Sequence, residues 1–381
     1  MRPSAISTCV ARSGSVYRAR IHPGWQKEHT TNPRPDHAAA QARIEVFEFP
    51  SLEAARPWWM ELARTYKGGE LTLDWEAHRI ISEHFLVPRG YVQRVLVFVE
   101  KGRCIGVVPL SRTDTDPMGT RCDSFSDDFI IAREYFIRPD RFRAVLPLLP
   151  PHFSDDLSAF YRPDDTTGLE ASPAGVIDLM DTEEVYLGSL RKHARHDLRS
   201  TLRRNEDLRS EFDGVVRRDA IAPILEAHLR RWAVRCGGSS TEYFAYTAQK
   251  IACDMLLMER AAEMGRLLAQ YITLEGTLVA ANFSVRREAD RLDDYLCLRS
   301  DDPTLDGRAL GILAIVRNFA ECRREGIRYY DMSACSGDYK RRFGNISMDY
   351  LRPRYDDSGI STCPFDLEKA ASGLHAVGAT P

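Results

Sequence analysis

Tyr329 to Gly344 reads YYDMSACSGDYKRRFG. Tyr329, Tyr330 and Asp331 end a short run of the kind that makes a buried strand, a small-residue loop follows, and Lys340, Arg341 and Arg342 then run into Phe343 and Gly344. Cations gathered where a strand finishes are either a solvated turn or the rim of a site for a negatively charged group. Cys335 in the same loop has the chemistry of a nucleophile. A thiolate needs a base or a lowered pKa, however, and no histidine is near it in sequence, so a small residue in a tight turn is the simpler reading.

A second cationic feature lies upstream. Arg191, Arg195, Arg199 and Arg203 recur every fourth residue and share one helical face, with Leu190, Ala194, Leu198 and Leu202 as the neighbouring apolar face. This segment, Arg191 to Arg209, reads in two ways. Asp197, Glu206 and Asp207 offer local partners for a solvated face; alternatively the excess of Arg and Lys suits the phosphates of CoA or of an RNA acceptor end. A third feature is the loop Asp301–Gly311, where Gly307 and Gly311 precede a helix and free N–H groups make an anion site in principle. His193 and His196 share a helix face but lack two further ligands, so no metal is expected. P-loop, HExxH, GxSxG and GxGxxG motifs are absent from the sequence.

The elements that must position these residues follow from pattern. The chain has 381 residues, 44% hydrophobic and 28% charged, enough for two packed domains. A net charge of −3 gives no global pull toward nucleic acid, so any basic function is local. The cysteines are scattered and odd in number, nine in all, with no CxxC pair, which fits reduced thiols in the cytoplasm. No apolar run approaches a membrane span, and none is expected.

Residues 1–43 are predicted to be an unstructured leader; the first 27 hold no acid but five Lys or Arg. Order begins with the alternating RIEVFEF at Arg43–Phe49, then a helix over Ser51–Tyr66 with Trp58 and Trp59 buried. A hairpin follows over Val92–Arg112, turning at Lys101-Gly102 and closed by Pro109. A loop containing Ser124–Phe129 leads to a further stretch near Arg141–Leu149. Pro150-Pro151 and Pro163–Ser172 mark a boundary. Beyond it Tyr186–Phe212 reads as one helix. Further helices end at Gly237-Gly238 and near Met264, with Trp232 in the first of them. A β-meander turns at Glu275-Gly276 and Glu288–Asp290, a helix ends at Glu325-Gly326, and a strand starts at once with IRYYD. The fold class is α/β, of α+β type with one parallel crossover.

Taken in order, YLGSLRKHARHDLRSTLRR, LRRWAVR, GRLLAQYITLEGTLVAANFSV, DDPTLDGRALGILAI and EGIRYYDMSACSGDYKRRFG resemble the GNAT-type acyltransferases of the BioF2-like and FemAB-like group, over roughly Tyr186–Asn345. The resemblance implies two GNAT-like halves in tandem, residues 44–180 and 181–355, each a mixed, mostly antiparallel sheet flanked by helices, with a tail at 356–381. It implies an acyltransferase that moves an acyl group from an acyl-CoA-type donor to a small-molecule or peptide amine. The alternatives are an aminoacyl-tRNA donor gripped by the Arg191–Arg209 helix, and a binding protein that kept the fold and lost the chemistry. By the same resemblance Lys340 stabilises the oxyanion or holds the donor, and Tyr339 and Asp331 fix the loop or handle a proton. Gly307, Arg308 and Gly311 receive donor phosphates, Arg341 and Arg342 add contacts, and Asn282 and Trp232 are secondary candidates. Two departures stand out: Leu305-Asp306-Gly307 replaces the Ser-Pro-Gly usual in the family, and the strict Gln/Arg-x-x-Gly-x-Gly signature of simple GNATs is missing. CoA as donor therefore follows from kinship and not from a motif.

Overall fold

In the computed structural model the residues described are 8–10, 16–18, 44–65, 73–113, 123–124, 136–145, 148–149, 169–180, 182–235, 241–334, 338–346 and 348–353. Strands β1 (Thr8–Val10) and β2 (Val16–Arg18) pair antiparallel with each other. They lie inside the stretch expected to lack structure, where Thr8, Val10 and Val16 favour extended backbone.

Strand β3 (Ile44–Phe49) leads into helix α1 (Leu52–Thr65), which buries Leu52, Ala55, Trp59 and Leu62 along one stripe. Trp59 is in the core as expected. Trp58 is half-buried and stacks on Phe47, ring centroids 6.2 Å apart. Helix α2 (Trp75–Ile81) is capped by the Asp74 carboxylate, which accepts from the Ala77 N–H at 3.1 Å. Strands β4 (Tyr91–Glu100) and β5 (Arg103–Thr113) form the expected hairpin; Lys101 (φ 51°) and Gly102 (φ 73°) supply the left-handed pair that a two-residue turn requires.

Pro109 does not close β5, which continues to Thr113 opposite Tyr91. On the far edge β5 pairs with β6 (Asp123–Ser124) at Leu110 and Ser111, and with β7 (Phe136–Ile137) at Gly106 and Val107. Pro109 falls between these two pairings, where its missing N–H interrupts neither. The short helix α3 (Phe142–Val145) follows.

Strand β8 (Leu169–Asp178) covers the end of the expected boundary zone. It hydrogen-bonds to strands that lie far downstream in sequence and not to the sheet that precedes it. The predicted single helix over Tyr186–Phe212 is three elements: α4 (Glu183–Ser189), α5 (Lys192–Arg204) and β9 (Arg209–Asp213). Ser189 Oγ donates to the Tyr186 carbonyl at 2.6 Å where α4 stops, and the extended Leu190 and Arg191 separate the two helices. At the other end Asn205 Nδ2 donates to the Thr201 carbonyl at 2.8 Å and closes α5.

Then come α6 (Arg218–Arg235), α7 (Thr241–Glu263), β10 (Leu267–Leu274), β11 (Thr277–Glu288), β12 (Arg291–Arg299), α8 (Leu310–Arg324), β13 (Tyr329–Ala334), α9 (Asp338–Phe343) and β14 (Asp349–Pro353). The seven-stranded sheet has the order β14-β8-β13-β12-β11-β10-β9, antiparallel except for β12 beside β13. One crossover is thus parallel, through α8, as the sequence predicts.

Helices α6 and α7 cover one face of this sheet with Ile221, Ile224, Ile251 and Met258. That apolar cluster continues into Trp59, Phe85 and Val97, so one core joins both sheets. Arg260 of α7 donates to both Asp74 oxygens, at 2.7 and 3.1 Å, across the same junction. The other face is covered by α4, α5 and α8, through Leu198, Leu313 and Phe319. No helix among the described residues is long and apolar enough to cross a membrane.

Candidate active site

The parallel pair β12–β13 is in register only at Arg291 with Tyr329, Leu292 with Tyr330 and Asp293 with Asp331. Both strands run on, β12 to Arg299 and β13 to Ala334, so they part beyond Asp293 and Asp331 and leave a fork. Backbone groups along a fork lack their ladder partners and are open to an extended ligand.

The first residues past the split are Asp294 and Met332. A β-bulge at Tyr295, where the register with β11 slips between Phe283 and Ser284, re-aims side chains at this point. The Asp294 carboxylate accepts from Tyr330 Oη at 2.7 Å and from Asn282 Nδ2 at 3.0 Å. Asn318 Nδ2, from α8, donates to the same Tyr330 oxygen at 3.2 Å and to Ser284 Oγ at 3.4 Å. Asn282, Ser284, Asn318 and Tyr330 are fully buried, whereas Asp294 is half-buried and so borders the fork.

Burial pushes the Asp294 carboxyl up, while hydrogen bonds from Asn282 and Tyr330 and the nearby Lys340 ammonium act to lower it. Burial and the Asp294 charge push the Tyr330 phenol well up, so it stays protonated and donates. Among the described residues the Asn282 and Asn318 carbonyl oxygens have no hydrogen-bond partner, which leaves acceptor capacity for a bound donor group.

Lys340 lies on α9, half-buried, and its Nζ donates to the carbonyl of Met332 on the β13 arm of the fork. The fork therefore brings together two residues singled out from sequence, Lys340 and Asn282. Asp331 sits elsewhere. One residue before the split, it is buried and accepts from Arg291 Nη2 at 2.9 Å, while Arg291 Nε donates to Asp293 at 3.0 Å. To act as a base it would first have to leave that pair.

Tyr339 and Arg341 lie in α9 and Trp232 in α6, with side chains outside the description; Cys335 is outside the described residues altogether. Arg342 is exposed and stands 3.9 Å from Asp197 of α5.

The loop before α8 forms a 3-10 turn at Pro303–Arg308. The carbonyls of Gly307 and Arg308 accept from Arg204 and from Asn205 Nδ2, which ties the loop to α5. Arg308 Nη1 donates to both Asp207 oxygens, at 2.6 and 2.8 Å. Ala309, left-handed at φ 52°, starts α8 with no side-chain cap, so the amides around Gly311 keep capacity for an anion.

On the other face of the bulge, Tyr295 Oη donates to Asp254 at 2.7 Å and Lys250 Nζ to its second oxygen at 2.8 Å. Arg231 donates to Nδ1 of the buried His228 at 3.0 Å, which fixes the imidazole as the Nε2–H tautomer.

Helix α5 carries an open groove of about 800 Å³ lined by Lys192, Arg195, His196, Arg199, Leu202 and Arg203. Ala194 and Leu198 are buried behind it as the pattern predicts. Arg191 is the N-cap of α5 and is not among the lining residues.

Sequence reasoning missed Asp294, Tyr330 and Asn318. The signal available for the first was LDDYLCL, where two acids interrupt an apolar strand.

Residues 192–341 match the family model described as Acetyltransferase (GNAT) domain. No curated protein matches the sequence. Solved structures with a similar arrangement include FemX, at 11% identity, covering 73% of this chain and 93% of that one, TM-score 0.43. A tandem GNAT protein from the clavulanic acid biosynthesis pathway has 12% identity, 83% and 100% coverage, and TM-score 0.43. L-PGS from Bacillus licheniformis has 12% identity, 81% and 92% coverage, and TM-score 0.44.

Proposed function

With residues 192–341 carrying a domain of the GNAT acyltransferase family, we propose that this chain moves an acyl group from an acyl-CoA-type donor to an amine by direct attack at the fork between β12 and β13. The observation that carries the proposal is that Asp294 lies on the β12 arm of that fork while Lys340, on α9, donates to the Met332 carbonyl of the β13 arm. The acyl carbonyl lies between the arms. Lys340, oriented by the Met332 carbonyl, puts its ammonium where negative charge develops on the carbonyl oxygen. Asp294, held by Asn282 and Tyr330, takes a proton from the attacking nitrogen as the N–C bond forms. When the bond from carbon to the sulfur of the donor breaks, the electron pair stays on sulfur and the proton returns to it, restoring the Asp294 carboxylate. The raised affinity of Asp294 for a proton suits this task. The amides opening α8, near Gly307 and Gly311, receive the donor phosphates. Arg308 joins them only by giving up Asp207.

We place the reaction in the cytoplasm, the compartment that scattered cysteines without a CxxC pair suit. An aminoacyl-tRNA donor is the second reading, favoured by the cationic groove on α5; loss of activity on RNase treatment would select it.

The test is release of free CoA from acetyl-CoA with a panel of primary amines, for wild type and Lys340→Ala. The variant is expected to lose about 10²–10³ in turnover, the usual cost of removing one oxyanion contact. Equal turnover of the two proteins sinks the assignment.

A further inference from the structure

Taking Asp294 as the base of the acyl transfer proposed above, we propose that Asp254 on α7 is its positioning residue. Asp254 holds Tyr295, Tyr295 holds the bulge in β12, and the bulge keeps the Asp294 carboxylate turned into the fork.

The bulge decides which face each side chain takes. Asp294 stands opposite Ser284 and Leu296 opposite Phe283, so Tyr295 is the extra residue between two rungs of the ladder. Asp294 is on the α8 side, where it meets Asn282 and Tyr330. Tyr295 and Leu296 both pack against the apolar cluster under α6 and α7, which also contains Phe283 and Leu298. Two successive side chains on one face break the alternation of a regular strand. Were Tyr295 taken into the ladder, every side chain beyond the change would switch face. Either Leu296 and Leu298 would leave the core, or Asp294 would turn away from Tyr330. Burial of the two leucines opposes the first outcome. The second, which disarms the base, needs a specific restraint.

Asp254 supplies it. Tyr295 Oη donates to one Asp254 oxygen at 2.7 Å, and Lys250 Nζ donates to the other at 2.8 Å. Lys250 lies one turn before Asp254, so α7 itself orients the carboxylate. The Asp254 side chain is 2% exposed, and a charge-assisted hydrogen bond made there faces little competition from water. Asp254 touches no reacting atom, since it meets the bulge from the face opposite Asn282 and Tyr330.

A restraint is only as firm as its mount, and α7 is seated along its length. Ile251, Met255 and Met258 enter the core that both sheets share. Gln249 Nε2 donates at 3.2 Å to the carbonyl of His84, in the turn Ser82–Leu86 that follows α2. Arg260 grips Asp74 at the start of α2. The first half thereby acquires a task in the chemistry of the second: it steadies the helix that aims the base.

The experiment compares Tyr295→Phe with Tyr271→Phe. Tyr271 Oη, on β10, donates to the Val215 carbonyl, also at 2.7 Å, and its ring packs in the same core. Each variant loses one phenolic hydrogen bond, so the two should lower Tm alike. Only Tyr295→Phe is expected to lower kcat, by about 10²-fold with the donor KM unchanged, as when a reacting group is displaced by about 1 Å. Asp254→Ala should reproduce that loss. Asp254→Asn, whose amide still bonds the Tyr295 hydroxyl, should recover turnover to within about fivefold of wild type. A crystal structure of Tyr295→Phe should show the Asp294 carboxylate parted from Tyr330 Oη. Equal kcat in the two tyrosine variants overturns the proposal, as does a Tyr295→Phe structure that keeps the 2.7 Å bond from Tyr330 to Asp294. If wild type turns over no amine, the acyl-transfer reading falls, and the crystal structure still decides whether Tyr295 holds the bulge.

Discussion

Asp294 and Asp331 show how two carboxylates near one strand end acquire different tasks. Asp331 was conspicuous in the sequence because it closes the apolar IRYYD, yet it spends its charge on Arg291 inside the sheet. Asp294 looked like one acid of a pair, and only the bulge turns it toward Tyr330 and the fork. A base works deprotonated, so activity should rise with pH through the Asp294 pKa, which burial has raised. Tyr330→Phe removes a donor that favours the carboxylate and so raises that pKa further. The acid limb of kcat/KM against pH should therefore move to higher pH in the variant, with the melting temperature recorded alongside. A limb that stays in place would assign Tyr330 to packing alone.

At the scale of elements, what was legible was local. The amphipathic stripe of α5, the Lys101-Gly102 turn and the meander turning at Glu275-Gly276 follow from period and turn chemistry, and all are present. What was hidden depends on partners distant in sequence. RSEFD is a strand because β10 lies beside it, and β8 joins the second sheet because β13 and β14 wait there. The fork is a failure of two strands to pair, which no hydropathy pattern records.

The packing of α6 on β12 makes a further prediction. Burial, with Arg231, Arg299 and Lys250 adding to it, lowers His228 to about 4. The unfolded chain, with an ordinary imidazole near 6.5, then binds the proton more tightly than the folded one. This stability is fully present above about 6.5 and is lost as pH falls toward 4, at most about 3 kcal/mol. Urea unfolding of His228→Gln against wild type at several pH values should show a shallower fall for the variant across that window. Parallel curves would mean that the imidazole is not buried uncharged.

For the whole molecule, the two sheets are proposed to correspond to tandem halves, with the border before β8 and not after it, since β8 belongs to the second sheet. They share one core, although each sheet also packs an apolar cluster of its own on the opposite face. One apolar cluster runs from Trp59 and Phe85 through Ile251 to Phe283, and the Arg260–Asp74 pair bridges α7 and α2 beside it. Shared burial of this kind makes unfolding of either half expose the other, so calorimetry should show one transition and not two. Asp74 separates the contributions, because its carboxylate both caps α2 and binds Arg260. Asp74→Asn keeps a capping oxygen and loses the charge; Asp74→Ala loses both. The first should cost about 1 kcal/mol and the second about 2, each lowering a single Tm. If Asp74→Asn instead splits the trace into two peaks, the halves are joined mainly by that ion pair, and the apolar continuity between them contributes little to cooperativity.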